Sequence, residues 1–301
     1  MTDTHERLLS GAVDLHVHPF PSPFPRRIDT LEAAQHAGEH GLRAIVVKSH
    51  HHSTATDVAA LRPHGIEATG VETFGAVALN SQVGYLNPSA VNLCLALGGK
   101  VVFFPTISSP AHLAHEGPKL KFPKLELPLM EEQPNDIWLD TDGARLKPEV
   151  HEILGLIAEA DAVLSAGHLP PSSIIALFEA AREAGVRRML VNHPDFVIEA
   201  SRDEVKVMLE LGAYVEHSLC MYESASTFHQ DWGEIDHLVD WIRFVGPERS
   251  LLGSDLGQQD NPLPGDAFRR ICTRLLEAGL TEREVRQVVA DNGSRLLGLE
   301  D

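Results

Sequence analysis

The sequence predicts an α/β fold, and within that class a (β/α)8 TIM barrel. Three observations carry the prediction. Short apolar runs alternate with helix-like segments along most of the chain. Several runs are apolar without a break, as parallel strands covered on both faces must be. The helix-like segments tend to stop at a glycine shortly before the next run, which is the rhythm of βα repeats.

Taken in order, the candidate strands are residues 12–17, 43–47, 67–79 (with turns inside it), 101–104, 162–166, 188–191, 213–215 and 250–253. Segment 30–39, rich in Ala, Glu and Gln, reads as a helix stopping at Gly41. Segment 171–184 opens on prolines and serines and stops at Gly185, giving start and stop signals in the expected order. Segment 202–211 stops at Gly212, and 235–244 and 267–277 continue the pattern. Eight such repeats favour a closed barrel over an open doubly wound sheet. Neither a G-x-G-x-x-G nor a P-loop sequence supports a nucleotide-binding version of the latter.

Residues 106–148 break the rhythm. They are rich in proline, lysine and acidic residues, and read as an insertion after strand four, a lid or a dimerisation arm. Within it, 136–140, the turn Asp142-Gly143 and 144–147 resemble a small hairpin. A barrel of about 250 residues plus this insertion accounts for all 301, so residues 1–301 are expected to be one domain.

The formal net charge of -18 repels phosphate backbones and argues against nucleic-acid binding. A local cationic pocket still permits an anionic small molecule. Cys94, Cys220 and Cys272 are odd in number and far apart, which suggests neither a disulfide framework nor a zinc knuckle. The first ten residues are polar, and no apolar run reaches membrane-spanning length. The expectation is a cytoplasmic protein with a small-molecule substrate, no membrane or nucleic-acid partner, and room for a homo-oligomer.

The unusual number is 17 histidines. Strand one runs into Asp14-Leu15-His16-Val17-His18, where alternation puts His16 and His18 on one face. Strand two ends Lys48-Ser49-His50-His51-His52, strand five Gly167-His168, strand six Asn192-His193, strand seven Glu216-His217 and strand eight Ser254-Asp255. Barrel enzymes build their active sites at such strand ends. Surface histidines with no role would scatter, as His5, His36, His40, His64, His151 and His237 do.

This order, H-x-H after strand one, His after strands five and six and Asp after strand eight, resembles the amidohydrolase superfamily of metal-dependent hydrolases. The likeness spans His16 to Asp255, and segment 291–299 is similar to that superfamily's closing helix. It implies an uncharacterised branch in which His16, His18 and Asp255 bind one divalent metal and His168 and His193 a second. Zn2+ is the expected ion and Mn2+ the alternative, with one or two ions bound. Asp255 would also serve as catalytic base, since a divalent ion lowers the pKa of bound water and a nearby carboxylate removes its proton.

Binuclear members usually bridge their metals with a carboxylated lysine or a glutamate after strand four or nearby. Here strand four ends Phe103-Phe104-Pro105-Thr106, which offers neither. Lys48 is the substitute as a carboxylated ligand, sharing a face with His50 by alternation; otherwise its ammonium holds a substrate anion. Glu72 is a second candidate bridge, and His50, His51 and His217 are further candidates for metal or substrate. Arg26 and Arg27, after a proline-rich stretch that reads as a stiff loop over the site, are candidate clamps for a substrate carboxylate. Tyr222 and Tyr85 are candidate oxyanion donors.

The resulting expectation is an enzyme: a hydrolase of C-N or C-O bonds in a small amide, lactone or ester, cyclic or carboxylate-bearing. A decarboxylase on the same barrel and a non-catalytic metal-binding protein are the alternatives. The carboxylate of Asp255 argues against the last, because pure binding needs no proton acceptor.

Overall fold

The computed structural model describes residues 7–115, 125–140 and 142–299. Its strands are β1 (Val13–Val17), β2 (Ala44–Val47), β3 (Glu72–Phe74), β4 (Ala76–Ala78), β5 (Val101–Phe103), β6 (Val163–Ser165), β7 (Arg188–Asn192), β8 (Tyr214–Ser218) and β9 (Ser250–Gly253). The chain forms two compact units.

The first unit, Met1–Lys48, Asp57–Phe74 and Tyr214–Asp301, holds β1, β2, β3, β8 and β9. Its ladders β1–β2, β2–β3 and β8–β9 are all parallel. Val17 bridges Leu256, and the Asp255 amide donates to the His16 carbonyl at 2.7 Å, so the C-terminal ends of β1 and β9 lie side by side. The second unit, Ser49–Thr56 and Gly75–Ala213, carries β4, β5, β6 and β7, paired in that order and all parallel.

Strands β2, β4 and β5 are wholly buried, which is why their sequences run apolar without alternation, whereas β1 is equally buried although Asp14 and His16 alternate with its apolar residues. Helices flank them and are specified locally. The helix Thr30–Glu39 starts at a capping box in which Asp29 accepts from the Glu32 amide, and it buries Ala33, Ala34 and Ala37. A second capping box, Ser201 with Glu204, opens Arg202–Glu210. Such caps stabilise a helix by about 1 kcal/mol each. Pro171–Glu183 has proline in its first turn and buries Ile174, Leu177 and Phe178; replacing a phenylalanine so buried by alanine costs about 3–5 kcal/mol.

The third apolar run is not one strand. It opens on a 3-10 turn, Glu67–Thr69, and then breaks into β3 and β4 at Gly75. A β-carbon on Gly75 would lie 2.3 Å from the Ala55 Cα, so the chain passes too close there for any side chain. Two helices not foreseen from the sequence, Pro88–Ala96 and Pro148–Glu159, precede β5 and β6.

Residues 116–124 and position 141, within the stretch expected to be an insertion, lie outside the described residues. The described part carries the short helix Pro110–His115 and a hairpin-like turn. In the turn Trp138 bridges Leu146, the Leu139 amide donates to the Arg145 carbonyl at 2.8 Å, and the Lys147 amide to the Ile137 carbonyl at 2.9 Å. Buried Ile137 and bonds from Asn135 to Ser108 and from Trp138 Nε1 to Ser173 tie this turn to the second unit. No described helix is long and apolar enough to cross a membrane.

Candidate metal centre

In the first unit, His16 and His18 leave β1 two residues apart and turn their rings to the same side, with centroids 5.1 Å apart. Asp255 follows β9, which lies beside β1. Its Oδ1 is 3.0 Å from His18 Nε2 and 3.4 Å from His16 Nε2. The three donor atoms lie within 4.8 Å of one another, and among the described residues no other trio of His, Cys, Asp or Glu does so. Two imidazoles and one carboxylate form a donor set that Zn2+ and Mn2+ accept, with positions left over for water or substrate. Asp255 has φ +53°, a left-handed conformation unusual for a residue with a side chain and typical of strained functional positions.

A buried carboxylate not foreseen from the sequence supports this trio. Glu216 Oε1 lies 2.7 Å from His16 Nδ1, with the two side chains 0% and 1% exposed. A carboxylate only accepts, so Nδ1 carries the proton and Nε2 presents its lone pair to the Asp255 side. Gly253 makes room for it, because a β-carbon there would meet the Glu216 Cδ at 2.6 Å. Glu216 sits on β8, and the alternation of Glu216 and Ser218 against His217 was the available signal.

Asp14 braces the same corner from β1. It accepts from the His16 amide at 3.0 Å and the Ser254 amide at 2.9 Å, and burial raises its pKa to about 7. Burial also holds His18 well below its usual value, aided by neighbouring His16, Lys48 and Arg26, which favours the neutral form that a metal requires. Lys48 Nζ donates to His16 Nε2 at 2.9 Å, and burial brings its pKa down to about 8 against the pull of Asp255 and Glu216. Arg26 is brought down to about 10 by burial, opposed by Asp255, and its Nε has no hydrogen-bond partner. Cys220, a second residue not foreseen, places Sγ 3.6 Å from Asp255 Oδ2.

Four other candidates stand elsewhere. His217 does not face the His16 side: strand alternation turns it the other way, and its Nε2 meets Ser250 Oγ at 3.3 Å. Glu72 pairs with Ala44 at the start of β2, four residues before Lys48, which at about 3.3 Å per residue is the wrong end of the strand. Exposed there, it accepts from Arg43. Tyr222, in the segment after β8, is buried against Trp232 and His237. Arg27 donates to the Asn261 carbonyl and, with Tyr222, Glu223, Arg270 and Arg274, lines a separate cleft of about 800 Å³.

Lys48 and His50, expected to share a face by alternation, both lie beyond β2. β2 ends at Val47, so strand alternation no longer governs them. His50 belongs to the second unit, where its Nδ1 bonds Thr106 Oγ1 at 2.9 Å and its ring lies 6.2 Å from that of His51. His168 and His193 belong to the same unit, with ring centroids 5.0 Å apart, both buried. They have a neighbour from the stretch expected to be an insertion: His112 Nδ1 is 3.0 Å from His168 Nδ1.

A family model matches residues 11–216, more than half the chain. The chain belongs to DUF6282, a family of unknown function. No curated protein matches it in sequence. Solved structures with the same fold are amidohydrolase- and phosphotriesterase-type proteins. An amidohydrolase from Pseudomonas aeruginosa superposes with a TM-score of 0.64 at 13% identity, over 98% of this chain and 97% of that one. A putative 2-pyrone-4,6-dicarboxylic acid hydrolase from Pseudomonas putida gives 0.57 at 15% identity, over 97% and 98%. The phosphotriesterase homology protein from Escherichia coli, with phosphate in its active site, gives 0.55 at 13%, over 96% and 99%.

Proposed function

We propose that this protein is a metal-dependent hydrolase of the (β/α)8-barrel type, cleaving a C-N or C-O bond in a small amide, lactone or ester. The observation that carries the reading is the convergence of His16, His18 and Asp255 within 4.8 Å, with His16 held by a buried glutamate. These three residues would hold the ion, and Lys48 stands close enough to join them. A divalent ion there supplies Lewis acidity, polarising a carbonyl oxygen and making water nucleophilic near neutral pH.

The chain's own groups do the rest. Asp255, whose side chain is 18% exposed and thus reachable from solvent, accepts the proton of the attacking water and passes it to the leaving group. Arg26 presents a mostly buried guanidinium beside Asp255, placed to bind a substrate carboxylate and fix its orientation. The dicarboxylic lactone named for the Pseudomonas putida neighbour is a substrate of this kind and supports testing carboxylate-bearing lactones first.

The test is a panel of lactones, amides and esters, each with and without a carboxylate, assayed with metal-stripped and Zn2+- or Mn2+-reconstituted protein. Activity should vanish on stripping and return with metal; full activity without metal overturns the reading. One observation favours decarboxylation as the second reading: among the described residues a single trio of donors converges, which suits chemistry at one ion. Release of CO2 from carboxylate substrates, with no hydrolysis product, would select it.

A further inference from the structure

Asp255 stands in a backbone conformation that its own side chain opposes. Its φ of +53° is left-handed, which for any residue but glycine puts the β-carbon too close to a carbonyl oxygen, so the conformation persists only where neighbours hold it. One hold is backbone: the Asp255 amide donates to the His16 carbonyl at 2.7 Å. The other is a side chain: Gln258 Nε2 donates to the Asp255 carbonyl at 3.1 Å. With amide and carbonyl both engaged, the peptide planes on either side of Asp255 are fixed, and its carboxylate is directed at His18 Nε2, 3.0 Å away.

A glutamine amide has an oxygen end and a nitrogen end of nearly the same shape and opposite polarity. Only the nitrogen end can serve the Asp255 carbonyl, so a neighbour must set which end points there. The polarity starts at a group that has no choice. The Thr227 backbone N–H, in the segment after β8, only donates, and it reaches Asn261 Oδ1 at 2.8 Å; the Thr227 hydroxyl donates to the same oxygen at 2.9 Å. That leaves Asn261 Nδ2 on the other side, donating to Gln258 Oε1 at 2.9 Å. With its oxygen so engaged, Gln258 presents Nε2 to Asp255. Asn261 is 1% exposed, and its backbone is held as well: its amide donates to the Gln258 carbonyl at 3.1 Å, and its carbonyl accepts from Arg27 Nη1 at 2.8 Å. The segments after β1, β8 and β9 therefore meet at this one asparagine.

We propose that Gln258 and Asn261 are positioning residues for the hydrolytic centre. Asn261 sets the direction of the Gln258 amide, and Gln258 holds Asp255 in the left-handed conformation that aims its carboxylate at His16 and His18. This rests on the reading of His16, His18 and Asp255 as the metal centre, and both residues act through Asp255. The effect is one of polarity rather than of packing. Glutamate at position 258 has the shape of glutamine but turns an oxygen on the Asp255 carbonyl. Aspartate at position 261 still accepts from Thr227 but cannot donate to Gln258. Gln258 then reverses to donate to it, and turns Oε1 on the Asp255 carbonyl.

The experiment uses the full chain. Zn2+ affinity is read by competition with a chelating dye, the Co2+ ligand field by absorption, and the Asp255 backbone from crystals of the metal-free proteins. Gln258→Glu and Asn261→Asp should each weaken Zn2+ binding about 10–100-fold, the range for partners that orient a metal ligand, and shift the Co2+ bands. Their crystals should show Asp255 out of the left-handed region. Gln258→Leu, which removes the donor without turning an oxygen on the carbonyl, should lose only about 2–10-fold. Adding Asn261→Asp to Gln258→Leu should cost no more, because Asn261 acts through Gln258. Zn2+ affinity within about twofold of wild type in folded Gln258→Glu overturns the proposal, and so does an Asn261→Asp loss as large in the Gln258→Leu background as alone. If Gln258→Glu fails to fold by circular dichroism, Gln258→Leu and Asn261→Asp carry the same comparison. If wild type holds no Zn2+ that Asp255→Ala releases, the reading of the centre fails, and the metal-free crystals decide the positioning by themselves: Asp255 displaced in Asn261→Asp supports it, and Asp255 unmoved overturns it.

Discussion

Glu216→Gln tests the arrangement at His16 most directly. The carboxylate meets His16 Nδ1 at 2.7 Å, with both groups shut away from water. Glutamine keeps the shape but removes the charge, and in one of its two orientations it offers an N-H where an acceptor is needed. A hydrogen bond to a charged group contributes about 1.5–3 kcal/mol, and no water can replace it in a site this dry. Loss of such a partner behind a metal-binding histidine typically weakens metal affinity about 10–100-fold, or about 1.4–2.7 kcal/mol, which agrees. Zn2+ affinity is read by competition with a chelating dye at fixed pH. The internal control is His217→Gln, one residue along β8, whose side chain meets Ser250 instead; it should leave Zn2+ affinity unchanged even if the protein loses stability. A Glu216→Gln variant within twofold of wild type, or a His217→Gln variant equally impaired, would refute the reasoning.

Further outcomes are expected. Asp255→Asn should keep the fold and lose turnover by on the order of 10²–10⁴-fold, as removal of a general base does; circular dichroism and kcat check it. Arg26→Ala should raise KM for a carboxylate-bearing substrate well above its effect on the neutral ester, and equal effects would count against an anion site. Lys48→Ala should lower metal occupancy, partly restored by a short-chain carboxylic acid, if Lys48 is carboxylated and ligates; native mass spectrometry of wild type should then show one added CO2. His36, whose pKa is lowered mainly by burial and further by His40, should make the protein less stable as pH falls below about 6.5. There the unfolded chain takes up the proton first, and denaturant midpoints of His36→Gln should show a smaller fall than wild type between pH 7 and 5.

The sequence by itself determined the fold class. Continuous apolar runs at 44–47 and 101–103, short and spaced between helix-like segments, read as strands buried on both faces. It also marked the three residues His16, His18 and Asp255, because alternation in β1 puts two rings on one side. The order of the strand-end residues carried the resemblance. Tertiary structure alone decided the rest. The split at Gly75 depends on Ala55, distant in sequence, packing where a side chain would stand. The choice of Glu216 over its neighbour His217 depends on where β8 begins, since a shift of one residue exchanges the two faces of a strand. Glu72 and Lys48 both read as bridge candidates until the β2–β3 register set Glu72 at the far end. His112 lies in a stretch without strand or helix periodicity, so only the packing of its short helix on the His168 loop brings the two nitrogens to 3.0 Å. Periodicity reports what a residue's own element does with its side chain; which partner waits there is set by contacts between elements far apart in the chain.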